Sequence, residues 1–174
     1  MNQVVISNLL LIFSFLLLIV NYIASSMAIF KIAKLEYVDN PWFAWVPVLN
    51  DYLIIKLGKG SIWFMILAVI SLVLGGPVLS LNQRAIKTLA LIITAAWVIY
   101  KLFLYTRICD RYEISILIFV VGFLGQLIGQ LVIFAVIVTI VGHILLYRSA
   151  SNWIKEKTII ESKVIFTKNK KKKK

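Results

Sequence analysis

Seven acidic residues, one histidine and one cysteine are all that this 174-residue chain offers for proton transfer, nucleophilic attack or metal binding. The acids are Glu36, Asp39, Asp51, Asp110, Glu113, Glu156 and Glu161, and none lies deep inside a long apolar run. An ionisable group held in such a run would mark function through its cost, and His143 comes nearest. It precedes Tyr147 and Arg148 by about one helical turn, which suits a histidine hydrogen-bonded to a neighbouring helix at a bundle end better than a proton relay or a ligand contact. Cys109 has no second cysteine for a disulfide or CxxC site and no histidine near it in sequence, so it reads as a free, inert thiol. The chain carries no HExxH pair, no phosphate-cradling glycine loop and no serine elbow. The expectation is no catalytic residue, no metal, no cofactor and a function other than catalysis.

Uncharged polar and aromatic residues supply the remaining candidates, in two groups. Asn21, Gln126 and Gln130 interrupt long apolar runs and, with His143, are the groups that could line a polar path inside a bundle. The second group lies in the irregular stretch from Asn40 to Phe64, which holds two of the three prolines and three of the five tryptophans. Trp42, Trp45, Pro47, Asn50, Asp51, Tyr52, Lys56, Lys59 and Trp63 are its candidates for binding a partner or ligand.

The elements that must position these residues follow from composition. The chain is 61% hydrophobic and 15% charged, too apolar to cover its own surface in water. Runs of 18 or more apolar residues read as membrane-crossing helices, and at least four are present. The expected fold class is therefore an all-α integral membrane helical bundle of four to five transmembrane segments, with a short interfacial amphipathic helix. The bundle occupies residues 1–148 and a polybasic tail occupies 149–174. Expected spans lie at about 4–30, 61–80, 86–105 and 114–147. The first is too long for the apolar region of a secretory signal and reads as a retained span.

Between the first two spans, Asn40-Pro41 resembles a helix start, an Asn side chain being able to cap first-turn amides while proline suits the first helical position. Trp42 and Trp45 share a face and favour the headgroup layer. Pro47 bends the element, and Gly58 and Gly60 reverse the chain. An interfacial element over 40–60 is the expectation. Arg107, Asp110, Arg111 and Glu113 are expected in a loop, as a local ion-pair network.

The segment from Ile114 to Tyr147 would make ~51 Å of helix, more than one crossing needs. Two readings stand: one long helix whose Gly125-x-x-x-Gly129 face, with Gln126 and Gln130, packs on another helix, or a tight hairpin turning near Gly125 to Gln130. Lysine and arginine gather in the first loop, the third loop and the tail, and the rule that basic residues stay cytoplasmic favours the hairpin. Five crossings with the N-terminus outside result.

The formal net charge is +12, and the excess follows Tyr147. The closing lysine run is expected to be disordered at its end and to attract anionic lipid headgroups, at about 1 kcal/mol per basic residue near the surface. No aromatic residues interleave these lysines to stack bases, which disfavours nucleic acid as a partner.

Lys31-x-Ala33-Lys34, Pro41-Trp42-x-Ala44-x-x-Pro47-x-x-Asn50-x-Tyr52, Lys56-x-Gly58-Lys59 and Trp63-Phe64 resemble the signature of a family of small, uncharacterised bacterial multi-span membrane proteins. Its pattern is a Pro-x-x-Asn-x-Tyr element followed by Gly-Lys-x-x-Trp at the start of the next helix. The chain departs from it by inserting Leu35 to Asn40 and by carrying Arg111-Tyr112-Glu113 in place of a Phe-Gly-Lys turn. The resemblance implies a bacterial plasma-membrane bundle with its site in this stretch, and no particular activity. The resulting expectation is an accessory, regulatory or immunity-type subunit that binds another membrane protein or a second copy of itself. The alternative is a small transporter or channel.

Overall fold

The computed structural model describes the backbone of residues 3–75, 84–126 and 131–172, and side chains within 5–73, 86–126 and 131–154 apart from those of residues 7 and 87. Its elements are α1 (Gln3–Leu35), a 3-10 turn (Pro41–Trp45), α2 (Pro47–Leu57), a second 3-10 turn (Ile62–Phe64), α3 (Met65–Gly75), α4 (Arg84–Arg111), α5 (Leu117–Gly125) and α6 (Val132–Lys172). No strand occurs among the described residues. Three helical stretches are long and apolar enough to cross a membrane: Asn8–Leu35, Thr88–Arg111 and Val132–Ile154.

The apolar stretches of all three long helices finish at one end of the bundle. Arg111, closing α4, donates to Glu36 just beyond α1 at 2.7 Å, and Ser149 of α6 donates to the Tyr112 carbonyl at 2.5 Å. The short helices α3 and α5 run the opposite way, as Phe64 stacking on Tyr100 and Gly125 facing Ala135 require. Basic and acidic residues from four elements therefore meet at a single charged end.

The stretch 41–57 departs most from expectation. It is not an amphipathic helix resting on the bundle but a hairpin that re-enters it. From the charged end the chain descends until the Trp45 carbonyl accepts from Tyr22 Oη at 2.6 Å, more than three α1 turns back from Leu35. It bends at Val46-Pro47 and returns as α2, whose Leu53, Ile54, Ile55 and Leu57 are buried on all sides. Consecutive apolar residues leave α2 no polar face to give to solvent, so insertion satisfies it better than lying flat. Non-helical backbone at this depth needs partners. Asn50, 5% exposed, supplies one by donating Nδ2 to the Ala44 carbonyl at 2.7 Å, and it reaches Ser26 Oγ at 3.5 Å.

Other boundaries move for physical reasons. Asn40 makes no side-chain cap; it takes the left-handed conformation (φ 56°), and its carbonyl accepts from Phe43 N–H. Helix α1 runs past residue 30 to Leu35, and the span expected from 61 opens with a 3-10 turn before α3 begins at Met65. Gln130, Gly129, Pro77 and the loop after it lie outside the described residues.

Arg107, Asp110 and Arg111 belong to α4 rather than to a loop, and the two arginines reach across the bundle instead of pairing locally. Arg107 Nη1 donates to the Gly58 and Lys59 carbonyls at 3.1 and 3.0 Å. Arg111 Nη2 donates to the Leu57 carbonyl. Carbonyls left over at the end of α2 are thus satisfied by guanidinium groups.

Within 114–147 the described residues form two helices, α5 and α6, packed on one another, and the turn expected near Gly125 to Gln130 lies largely outside the described residues. Gly122 and Gly125 let α5 and α6 approach: a Cβ at Gly122 would lie 2.3 Å from Thr139 Oγ1, and one at Gly125 would lie 2.8 Å from Ala135 Cβ. The close face is thus Gly122 with Gly125. The tail also differs, because the α6 backbone stays helical to Lys172 where disorder was expected. Extending an already nucleated helix costs little, and lysine is a good helix former.

Gly58 and Gly60 do reverse the chain, yet the left-handed residue there is Lys59 (φ 51°). The glycines serve proximity: a Cβ at Gly60 would sit 2.4 Å from Tyr100 Oη and 2.6 Å from Leu104. Gly60→Val should overpack this joint and lower unfolding free energy by about 2 kcal/mol, read from denaturant titration of the purified protein.

Candidate functional site

A cavity of about 300 Å³ opens inside the bundle where the hairpin tip meets α1, α4, α5 and α6. Asn21, Tyr22 and Ser25 reach it from α1, Asn50 and Asp51 from α2, Lys101 and Tyr105 from α4, Gln126 from the end of α5, and His143 from α6. Trp97, Val98 and Phe123 complete much of the apolar wall. The two groups of sequence candidates, one expected at an interface and the other inside the bundle, share this cavity through Pro47, Asn50 and Asp51 on one side and Asn21, Gln126 and His143 on the other.

Its electrostatic centre is an ion pair. Lys101 Nζ donates to Asp51 Oδ1 at 2.7 Å, and the ammonium lies 5.9 Å from the ring centroids of both Trp97 and Phe123. Lys101 belongs to the apolar run expected as the span 86–105. It sits almost three α4 turns before Arg111, and the re-entrant α2 brings a carboxylate to it. This pairing could not be read from sequence, since Asp51 and Lys101 are 50 residues apart and only insertion of α2 makes them meet.

A second polar pair lies beside it. His143, 2% exposed, shares a hydrogen bond of 2.9 Å between Nε2 and Tyr105 Oη. This contact to α4 is the expected hydrogen bond to a neighbouring helix, made in the bundle interior rather than at its end. Nδ1 makes no hydrogen bond among the described residues. Gln126 Nε2 donates to Thr139 Oγ1 at 3.1 Å, and that hydroxyl donates to the Ala135 carbonyl at 2.8 Å. Asn21 Oδ1 is buried with no partner among the described residues. Tyr105→Phe should strand His143 Nε2 and cost about 1–3 kcal/mol, measured as a lower unfolding midpoint.

A second cavity of about 260 Å³ lies on the other side of the hairpin, lined by Val48, Ala68, Ser71 and Leu72 together with Pro47, Asp51 and Trp97. The last three line both spaces. They form a partition between the two, and Asp51 is its charged member.

The remaining candidates lie elsewhere. Trp42 and Trp45 are exposed, Tyr52 is half-buried against Phe43, and Lys56 pairs with Asp39 at 3.3 Å near the charged end. Lys59 is exposed there, and Trp63, 80% exposed, heads an apolar groove with Ile62, Ile66 and Val69. Cys109 is buried. Tyr112 donates to Glu36 Oε1 at 3.2 Å, and burial, followed by the Glu36 charge, raises its phenol above the ordinary range, so it remains a donor. Among the described residues no group of three or more His, Cys, Asp or Glu side chains could hold a metal ion.

No family model, curated protein or solved structure matches the chain.

Proposed function

We propose that the protein is a multi-span membrane protein that binds a small polar solute in the cavity around Asp51 and Lys101 and passes it through the bundle. The observation supporting this is the convergence of polar side chains from α1, α2, α4, α5 and α6 on one space. Polar groups inside apolar bundles are costly, and their usual return is a solute or ion path. A volume of about 300 Å³ falls at the small end of ligand sites. The second cavity beyond Asp51 and Trp97 continues the route.

In the same reading the charged end faces the cytoplasm, α1, α3, α4, α5 and α6 make five crossings, and 41–57 is a re-entrant hairpin. Lys31, Lys34, Arg107, Arg111 and Arg148 then lie together on the side that basic residues favour. The lysines of α6 beyond residue 154 lie beyond the same surface, within reach of anionic headgroups. Membership of the Pro-x-x-Asn-x-Tyr family is part of this proposal: its Asn50 ties the hairpin tip, and its first proline, Pro47, lines the cavity.

Reconstitution in liposomes tests the reading. Purified protein should carry at least one of a panel of small polar solutes, and Val98→Trp, which fills the cavity from its wall, should abolish that flux while the melting curve is retained. Absence of flux for every solute, or flux unaffected by the plug, would overturn it.

The accessory-subunit reading keeps one specific support, the apolar groove under Trp63, about 520 Å³ and almost without polar surface. A photoreactive residue at position 63 should then crosslink a membrane protein in cells. Crosslinks to lipid alone would remove that reading.

A further inference from the structure

We propose that the solute is a small zwitterion with an ammonium group and a carboxylate, the charge pattern of an α-amino acid, and that it binds with its ammonium on Asp51 and its carboxylate on Lys101. This rests on the reading of the cavity as a solute site and specifies its chemistry.

Three observations lead to it. First, the pair is accessible although mostly buried: the Asp51 and Lys101 side chains keep 21% and 23% exposure, and both line the cavity. Second, each retains bonding capacity. Asp51 Oδ1 accepts from Lys101, whereas Oδ2 accepts no hydrogen bond among the described residues. Lys101 Nζ has three protons and gives one to Asp51; the rings of Trp97 and Phe123 occupy its surroundings without taking a conventional hydrogen bond. Third, the site is neutral as it stands. Among the residues lining the cavity, Asp51 and Lys101 are the only carboxylate and the only ammonium.

Neutrality selects the solute. A bound amine would leave one positive charge uncompensated in a low-dielectric interior, and a bound carboxylate would leave one negative charge; both arrangements are penalised. A zwitterion adds one charge of each sign. It can open the protein pair and replace it with two charge-assisted contacts, which are stronger than those a neutral amide would make. The Asn21 amide lies in the same lining, and its unpartnered acceptor is available to another ammonium proton if the amide turns inward. The apolar part of the solute then has Val98 and Phe123 on one side, or Val48, Ala68 and Leu72 beyond the partition on the other.

Matched solutes separate charge pattern from size. Isothermal titration of the full-length protein in nanodiscs would compare glycine, alanine, β-alanine and leucine with ethylamine, propionate and propionamide. At least one zwitterion should bind tenfold or more tightly than the amine, acid and amide. Asp51→Asn, which leaves the site positive, should move the preference to propionate, and Lys101→Gln should move it to ethylamine, each by tenfold or more. A residue that only held the fold would weaken all solutes alike. Should either single variant not fold, the exchange Asp51→Lys with Lys101→Asp restores the pair and should restore zwitterion binding.

Binding of propionamide, ethylamine or propionate as tight as that of every zwitterion would overturn the proposed class and leave the cavity a solute site. Unchanged preference in both single variants would also overturn the class. If no solute binds, the class and the solute-site reading fall together.

Discussion

Asp51→Leu is expected to lower unfolding free energy by about 3 kcal/mol, and Lys101→Met added to it is expected to recover most of that loss. Removing the carboxylate leaves an ammonium enclosed by Trp97, Phe123 and the cavity wall. Breaking a buried pair from one side typically costs about 3–5 kcal/mol; the low end applies because the pair is about one-fifth exposed and thus partly screened. Replacing both partners by apolar residues removes the orphan charge as well as the attraction, and such replacements are often neutral. The double variant should therefore lie within about 1 kcal/mol of the parent while losing solute binding altogether. Denaturant titration of the four proteins closes a double-mutant cycle. Additive losses would show that the two side chains do not act as a pair, and binding retained by the double variant would remove the ion pair from the site.

The second large effect is expected at the charged end. Arg111→Met removes the donor shared by Glu36 and the Leu57 carbonyl, leaving Glu36 with Tyr112 alone and the end of α2 with Arg107. Loss of about 2 kcal/mol is expected from a charge-assisted contact and an unpaired carbonyl. The local effect is the more informative one, because α2 is held at its tip by Tyr22 and Asn50 and at its return by the two arginines. Leu53→Cys, buried in the parent fold, should then react with maleimide at least tenfold faster in the Arg111→Met background. Arg111→Lys should be intermediate, since an ammonium cannot reproduce the fork that serves two acceptors. Equal labelling rates in all three backgrounds would mean that the arginine does not latch the hairpin.

What could be read from the sequence was the material, and what could not was the depth. Apolar runs located α1, α4 and the α6 span because their length alone separates them from soluble helices. Basic residues chose the hairpin over the single helix for 114–147, and Gly122 and Gly125 gave it the close contact it needs. The prolines and tryptophans of Asn40 to Phe64 mark that stretch as the place for a site, yet the same residues point to a surface. Tryptophans at 42 and 45 suggest a headgroup layer whether the chain rests there or passes through, and no local pattern distinguishes the two. Insertion is decided by Tyr22, Arg107 and Arg111, which satisfy backbone groups 23 to 54 residues away, and by Asn50, which satisfies the carbonyl of Ala44 on the other arm of the hairpin. For the same reason Asn50 and Asp51 could be named as candidates but not assigned their partners. The run around Lys101 is apolar and shows no acid, because its carboxylate arrives from another element 50 residues away.

The hairpin also fixes an order of assembly. Its tip can dock as soon as α1 is in place, since Tyr22 and Ser26 precede it. Its return strand of contacts cannot form then: Lys101 is made 50 residues after Asp51, and Arg111 is made 54 residues after Leu57 and 75 after Glu36. During synthesis, α2 emerges before α4 exists, so its contacts with Lys101, Arg107 and Arg111 are made later than those with α1. Contacts of such sequence separation form late and slowly, and exposed apolar segments are the ones that go astray in the interval. The cavity is complete only when Phe123, Gln126 and His143, all made after α4, have joined the residues of α1, α2 and α4 that line it.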